Sequence, residues 1–279
     1  MKVFTQYSTE FKLKLKDLSK NEQNIAFVPT MGFLHDGHIS LIKKARQEND
    51  VVIVSIFINK KQFNNKSDYN NYPVNIAQDL QKLKEQQVDI IYLPEDKLFY
   101  QEPIYTNINI NYLTDKLCGK TRPGHFSGVA LVLIKLFNQL KPNSAYFGQK
   151  DFQQLMVIKQ LVKDLDFPIL IKEGEIIREN TGLAMSSRNS RLTELERAII
   201  APKLYDNLVE MAKNIRTNPI EVVKIIKNTK ENLIKSGFSK IDYLEIYDDN
   251  LNNCDNYLNG RIFAAVFLGK VRLIDNIKI

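Results

Sequence analysis

The sequence predicts an α/β protein built on a doubly wound parallel sheet and followed by a second, smaller α+β domain. Three observations carry this. The run "DVVIVSIFIN" (Asp50 to Asn59) is apolar and β-branched almost throughout, as a strand covered on both faces must be. Runs of this kind alternate with amphipathic stretches of helical length. After Arg188 the alternation stops, and two long amphipathic helices precede a group of strand-like runs.

In order, "IAFV" reads as the first strand, and "GHISLIKKARQEN" sets Ile39, Leu41 and Ile42 against a polar remainder, a helical pattern. With "DVVIVSIFIN" they form a βαβ unit. A helix over Val74 to Gln87, a strand at "VDIIYLP", a helix across "SGVALVLIKLFNQL", a strand at "SAYFG", a helix from Asp151 to Lys163 and a strand at "FPILIK" continue the sheet. Beyond it, "TELERAIIAPKLYDNLVEMAKNI" is opened by a Thr193-x-x-Glu196 capping box, and "PIEVVKIIKNTKENLIKSG" is a second amphipathic helix. "IDYLEIYD" and "GRIFAAVFLGKVRLID" read as strands, the latter turning at an internal Gly-Lys. We draw the domain boundary near Ile177, giving domains 1–177 and 178–279.

Hydrophobic content of 44% and charged content of 25% belong to an ordinary globular chain, not a disordered one. Cys118 and Cys254 stand far apart with no CxxC pattern, which fits a reducing compartment. The lysine-studded start "MKVFTQYSTEFKLKLKDL" lacks the apolar segment of a signal peptide, and no apolar stretch reaches the ~18 residues of a membrane span. A cytoplasmic location is therefore expected. The net charge of +7 comes from scattered lysines and reads as a solvated surface, so neither nucleic acid nor membrane is expected as a partner.

In an open α/β sheet, ligands bind beyond the carboxyl ends of the strands. The segments there are "PTMGFLHDGH", "NKKQF", "GQKDFQQ" and "AMSSRN", each polar or glycine-bearing. No GxGxxG exists, and "CGKT" fails as a Walker A loop because Thr114 stands where its first glycine is needed. The remaining phosphate-binding device is the HxxH turn. Gly37 allows close backbone approach, the helix start favours an anion, and His35 and His38 point the same way as donors. A capping or core pair of histidines is the plain alternative. Zinc is a second, but no third ligand stands at a recognisable spacing. The third histidine, His125, lies in "TRPGHF" beside Arg122.

"PTMGFLHDGH", "VSIFINKKQF", "RPGHFSGV", "KLFNQLKP", "YFGQKDFQQL" and "GLAMSSRN", taken in order, resemble the pantothenate synthetase family of HIGH-motif nucleotidyltransferases, from Phe27 to about Asn189 and more weakly through the tail. The resemblance implies a Rossmann-like domain binding ATP and pantoate, a smaller C-terminal lid and a homodimer. It implies that ATP and Mg²⁺ drive condensation of pantoate with β-alanine through a pantoyl adenylate, releasing AMP and pyrophosphate. Carried onto this chain, the ATP contacts are Met31, Gly32, Phe33, Leu34, His35, Asp36, Gly37 and His38, with His38 as proton donor. Gly148, Gln149, Lys150, Asp151, Ile177, Met185, Ser186, Ser187 and Arg188 complete them. Gln62 and Gln154 match the pantoate-binding glutamines, with Gln62 also facing β-alanine, and Asn59 and Arg122 are grouped with them.

Pantoate's carboxylate is already ionised at neutral pH, so attack on the α-phosphate needs no base. Positioning and charge stabilisation by His35, His38, Lys150 and Arg188 carry that step, with Met31 and Phe63 as an apolar wall. Metal ligands and the base for the β-alanine amine stay unassigned. Asp151-x-x-Gln154 also reads as a capping box, Ser186 and Ser187 as turn hydroxyls, and Arg122 to His125 as a rigid turn. Lys60, Gln149 and Thr181 depart from the family's usual proline, glutamate and aspartate, without removing a group the chemistry needs. The alternative function is an adenylyltransferase of the phosphopantetheine-adenylyltransferase type; an RNA-binding module ranks last.

Overall fold

The computed structural model describes all 279 residues. Six parallel strands form the main sheet: β1 (Lys2–Phe4), β2 (Ile25–Thr30), β3 (Val51–Ile56), β4 (Ile90–Tyr92), β5 (Ser144–Gly148) and β6 (Leu170–Gly174), in the order β1-β4-β3-β2-β5-β6. All six residues of β3 are buried, which is why its sequence is apolar without alternation. The chain leaves β2 toward β3 on one side and returns to pair β5 on its other side. The crevice beyond the carboxyl ends of β2 and β5 is thus the switch point at which such sheets hold ligands.

Helices α1 (Thr9–Lys20), α2 (Asp36–Glu48), α3 (Lys66–Asn70), α4 (Ile76–Glu85), α5 (Asp96–Phe99), α6 (Leu117–Thr121), α7 (His125–Leu140) and α8 (Phe152–Asp164) accompany the sheet. One core is built from α1, α7 and α8 with Phe27 and Ile53; the other packs Leu41, Ile42 and Ala45 of α2 on Val28, Val52 and Val54. The sequence reading lacked β1 and α1. Helix α1 hides its apolar stripe of Phe11, Leu15 and Leu18 among lysines, and Ser8 caps it by accepting the Phe11 N–H at 3.2 Å. The helix expected over Val74 to Gln87 is shorter, because the Asn75 side chain caps the Gln78 N–H.

Beyond β6, α9 (Lys203–Thr217) and α10 (Val222–Lys235) pack on an antiparallel sheet of β7 (Lys240–Tyr247), β8 (Arg261–Leu268) and β9 (Val271–Lys278). The Thr193–Glu196 capping box forms: the Thr193 N–H donates to Glu196 at 2.8 Å, and the Glu196 N–H donates to Thr193 Oγ1 at 3.2 Å. The helix it opens is interrupted. A π-turn over Glu196–Ile200 precedes Pro202, whose missing N–H separates that turn from α9.

Candidate active site

The turn after β2 is shaped by backbone demands. Thr30 Oγ1 donates to the Ser55 carbonyl at 2.7 Å and accepts the Gly32 N–H at 3.2 Å. Gly32 has φ +83°, and a Cβ there would stand 2.9 Å from Ile56 Cγ2. The next two N–H groups, of Phe33 and Leu34, both donate at 2.7 Å to the carboxylate of Asp79, a side chain from α4 that is 1% exposed. Lys82, one helical turn on, donates to the Leu34 carbonyl. Clamped this way, the chain delivers His35 to the N-terminus of α2 with His38 one turn inside.

The two imidazoles lie 4.1 Å apart between ring centroids. His38 Nδ1 accepts the His35 N–H at 3.3 Å, so a neutral His38 carries its proton on Nε2. Burial, helped by the charge of Lys150, pushes the His38 pKa down to about 4; burial, the neighbouring His38 and Lys150 lower that of His35 further. Both rings are therefore neutral donors at pH 7. A Cβ at Gly37 would meet the His35 ring at 3.0 Å, so the close approach of that ring requires glycine there.

Met31, His35, Gly37 and His38 line one side of a cavity of about 230 Å³ above β2 and β5. Asn59 and Gln62 form a second wall, and Gly148, Lys150, Asp151 and Gln154 a third. Ile177, Met185, Ser186, Ser187 and Arg188 close the cavity from the chain beyond β6. Its floor is apolar, made by Phe57 and by Val129, Val132 and Leu133 of α7.

Several expected contacts stand elsewhere. Gly32, Phe33 and Leu34 lie behind the lining, with the Phe33 and Leu34 N–H groups committed to Asp79. Asp36 is exposed on the first turn of α2. Gln149 turns away to donate to Glu173 at 2.8 Å. Phe63 is not in the wall; it packs edge-on against Tyr69 and Tyr72, and Tyr72 takes the place expected for it. The Asp151-x-x-Gln154 capping box does not form: Asp151 precedes α8 without a side-chain cap bond, and its carboxylate faces the cavity.

Asn59, 1% exposed, uses both amide protons on Gln62 Oε1 and the Gly128 carbonyl, at 3.0 Å each, while its oxygen accepts the Tyr100 hydroxyl at 2.8 Å. With Oε1 so occupied and one amide proton donated to Met31 Sδ at 2.9 Å, Gln62 keeps one N–H for the cavity. Arg122 lies outside this cavity, in a smaller one that shares Lys150, Asp151 and Gln154 with it. The turn from Arg122 to His125 is held by contacts of its own side chains. An Arg122 NH1 group meets His125 Nε2 at 3.1 Å, and His125 Nδ1 meets the Gln62 carbonyl at 2.7 Å. Burial, with Arg122 beside it, lowers the His125 pKa to about 3.

Sequence reasoning missed the supports from distant elements. Asp68 of α3 holds Arg188 at 2.8 Å and Arg191 at 2.9 Å. Burial opposes ionisation of Asp68, yet the two guanidiniums hold its carboxyl below the usual range. From β9, the buried Asn276 donates to the Gln149 and Lys150 carbonyls at 3.0 Å each, and Asp275 pairs with Arg178 at 2.6 and 2.9 Å. The antiparallel sheet thus fixes the turn that carries Lys150. Nothing in the local pattern "LIDN" announces these partners. No three His, Cys, Asp or Glu side chains gather where they could hold a metal by themselves.

A sequence profile of the family described as pantoate-beta-alanine ligase matches residues 3–278. The pantothenate synthetase of Caldicellulosiruptor bescii is 43% identical over 277 residues, covering 99% of this chain and 98% of that one. The crystal structure of pantothenate synthetase from Thermus thermophilus superposes with a TM-score of 0.91 at 35% identity, over 100% of this chain and 99% of the other. The pantoate-beta-alanine ligase of Francisella tularensis, crystallised in complex with beta-gamma ATP and beta-alanine, gives a TM-score of 0.80 at 39% identity, over 100% of this chain and 97% of that one.

Proposed function

The chain belongs to the pantoate-beta-alanine ligase family, and we propose that it condenses pantoate with β-alanine in two half-reactions in the cavity above β2 and β5. The observation that carries this reading is what the lining of that cavity combines. It holds cationic and neutral donors (Lys150, Arg188, His35, His38) together with a glutamine N–H and a set of apolar side chains. The donors suit a triphosphate, and the glutamine N–H with the apolar side chains a small hydroxy acid with a geminal dimethyl group.

In the first half-reaction a pantoate carboxylate oxygen attacks the α-phosphorus of ATP. A P–O bond forms, the bond to pyrophosphate breaks, and pantoyl adenylate remains. His38 donates its Nε2 proton as a hydrogen bond to a phosphate oxygen, and Lys150 and Arg188 offset charge as it grows on the phosphates. Gln62 and Gln154 orient pantoate. In the second half-reaction the neutral amine of β-alanine attacks the pantoyl carbonyl, the C–O bond to AMP breaks, and the amine loses a proton as the amide forms.

Magnesium accompanies ATP in this reading. It binds phosphates with one or two carboxylates, and Asp151 and Glu175 line the cavity with no ion-pair partner. Bound there, the ion would neutralise phosphate charge. Residues 178–279 act as a lid over 1–177, in a homodimer located in the cytoplasm. No helix is long and apolar enough to cross a membrane.

The test is stepwise. With ATP, Mg²⁺ and pantoate alone, pyrophosphate appears, and AMP release then waits for β-alanine. Pyrophosphate release indifferent to pantoate would defeat the reading. The phosphopantetheine-adenylyltransferase alternative is not favoured, because the family match extends from the parallel sheet through the C-terminal antiparallel one.

A further inference from the structure

Two adjacent residues of β9 reach two separate walls of the main cavity. Asn276 holds the turn of Lys150 through the Gln149 and Lys150 carbonyls. Asp275, 4% exposed, holds residues 177–185 through Arg178, whose NH1 and NH2 groups donate to its two carboxylate oxygens at 2.6 and 2.9 Å. Asp275 Oδ1 also accepts the Asn276 N–H at 2.8 Å, so one oxygen ties the two grips together.

Residues 177–185 form a hairpin in which the Met185 N–H donates to the Ile177 carbonyl at 2.9 Å and the Glu179 N–H to the Leu183 carbonyl at 2.8 Å. Its two ends, Ile177 and Met185, line the cavity, and Met185 Cβ lies 3.9 Å from where a Cβ at Gly37 would stand. The hairpin thus faces the start of α2. Arg178 also closes its tip, donating to the Gly182 carbonyl at 3.0 Å, while the guanidinium lies 3.7 Å from the ring centroid of Tyr205 in α9. Asn59 and Gln62, by contrast, are held by Tyr100, Gly128 and His125, all from the parallel-sheet domain. A buried ion pair adds little stability over apolar side chains of equal volume, because desolvation offsets the attraction. What a guanidinium fork on a carboxylate supplies is orientation.

We propose that Asp275 is a positioning residue for the nucleotide. Through Arg178 it fixes the hairpin against the start of α2, and with Asn276 it sets the spacing between that hairpin and Lys150. This rests on the ligase reading above, in which ATP lies against Lys150, Ile177 and Met185 and pantoate against Gln62. The antiparallel sheet thereby governs the walls that meet ATP and leaves the Asn59 and Gln62 wall to the parallel-sheet domain. Disturbing Asp275 therefore acts on one substrate and spares the other.

Binding of a non-hydrolysable ATP analogue, followed by calorimetry without pantoate, reads the nucleotide walls alone. Asp275→Asn keeps the side chain's size and removes its charge. It should weaken that binding and raise the KM for ATP about tenfold, within the ~10²-fold that a 1 Å misplacement costs, while the KM for pantoate stays within about twofold. The double variant Arg178→Met/Asp275→Leu should regain the urea midpoint lost in Asp275→Asn but not the affinity for the analogue, because apolar chains fill the space without fixing a direction. Should Asp275→Asn not fold, the double variant alone is compared with the wild type. A merely structural role makes stability and affinity recover together. That result, an equal rise in both KM values, or an unchanged affinity for the analogue would overturn the proposal. Absence of pantoate-dependent pyrophosphate release in the wild-type protein would defeat the ligase reading instead, and analogue binding would still decide the role of Asp275.

Discussion

Replacing Asp79 should cost as much stability as hollowing out an apolar core position, although Asp79 does not line the cavity. Its carboxylate accepts two N–H groups at 2.7 Å, from Phe33 and Leu34, in a setting that is 1% exposed. Hydrogen bonds to a charged group contribute about 1.5–3 kcal/mol each. Asp79→Ala removes both and leaves the Leu34 N–H buried without an acceptor, while the less buried Phe33 N–H can regain water. The net loss is about 3–5 kcal/mol, a large part of the ~5–15 kcal/mol that holds a domain folded. Asp79→Asn keeps one acceptor and turns an NH₂ toward the other N–H, for a loss of about 2–3 kcal/mol. Function should fall as well, because the turn carries Met31 and His35, and a misplacement near 1 Å costs about 10²-fold in rate. Urea unfolding followed by far-UV circular dichroism suits a chain without tryptophan. A loss below about 1 kcal/mol in Asp79→Ala, with the KM for ATP unchanged, would refute the reasoning.

Three further outcomes are expected. His38→Ala should lower the rate of pantoate-dependent pyrophosphate release by about 10²- to 10³-fold, as loss of a donor to developing charge does; full activity in the folded variant would remove His38 from the mechanism. Acidification should destabilise the protein between pH 6.5 and 4, because His38 titrates near 4 and His125 near 3 when folded, against 6.5 when unfolded. The unfolded chain then binds the extra protons, so each histidine's contribution is whole above pH 6.5 and falls by about 1–2 kcal/mol by pH 5; equal urea midpoints at pH 7 and 5 would contradict this. Asn276→Ala should cost about 1–2 kcal/mol and lower kcat about tenfold by loosening the turn under Lys150. A stability loss of that size with kcat intact would show that β9 only braces the fold.

What the sequence discloses divides along the range of the interactions. Strands β2, β3 and β5 are readable because burial on both faces forces continuous apolar runs. The HxxH turn is readable because glycine, two histidines and a helix start are neighbours in the chain. Strand β1 is not, since three residues at a sheet edge carry no period. Asp79 is invisible for another reason: its partners are backbone N–H groups 45 and 46 positions away, and an aspartate in an amphipathic helix looks like a solvated charge. Asn276 reaches the Lys150 carbonyl across 126 positions. Analogous local patterns also resolve differently. Thr193 and Glu196, exposed, close their capping box, whereas Asp151 and Gln154 face a cavity and leave theirs open.

The central claim is that a pantoate carboxylate oxygen bonds to the α-phosphorus of ATP and leaves with AMP. Turnover of pantoate carrying ¹⁸O in its carboxylate, with ATP, Mg²⁺ and β-alanine, tests this in one measurement. Mass analysis of the released AMP should find one labelled oxygen transferred from pantoate. Unlabelled AMP, or label recovered in inorganic phosphate beside ADP, would contradict it.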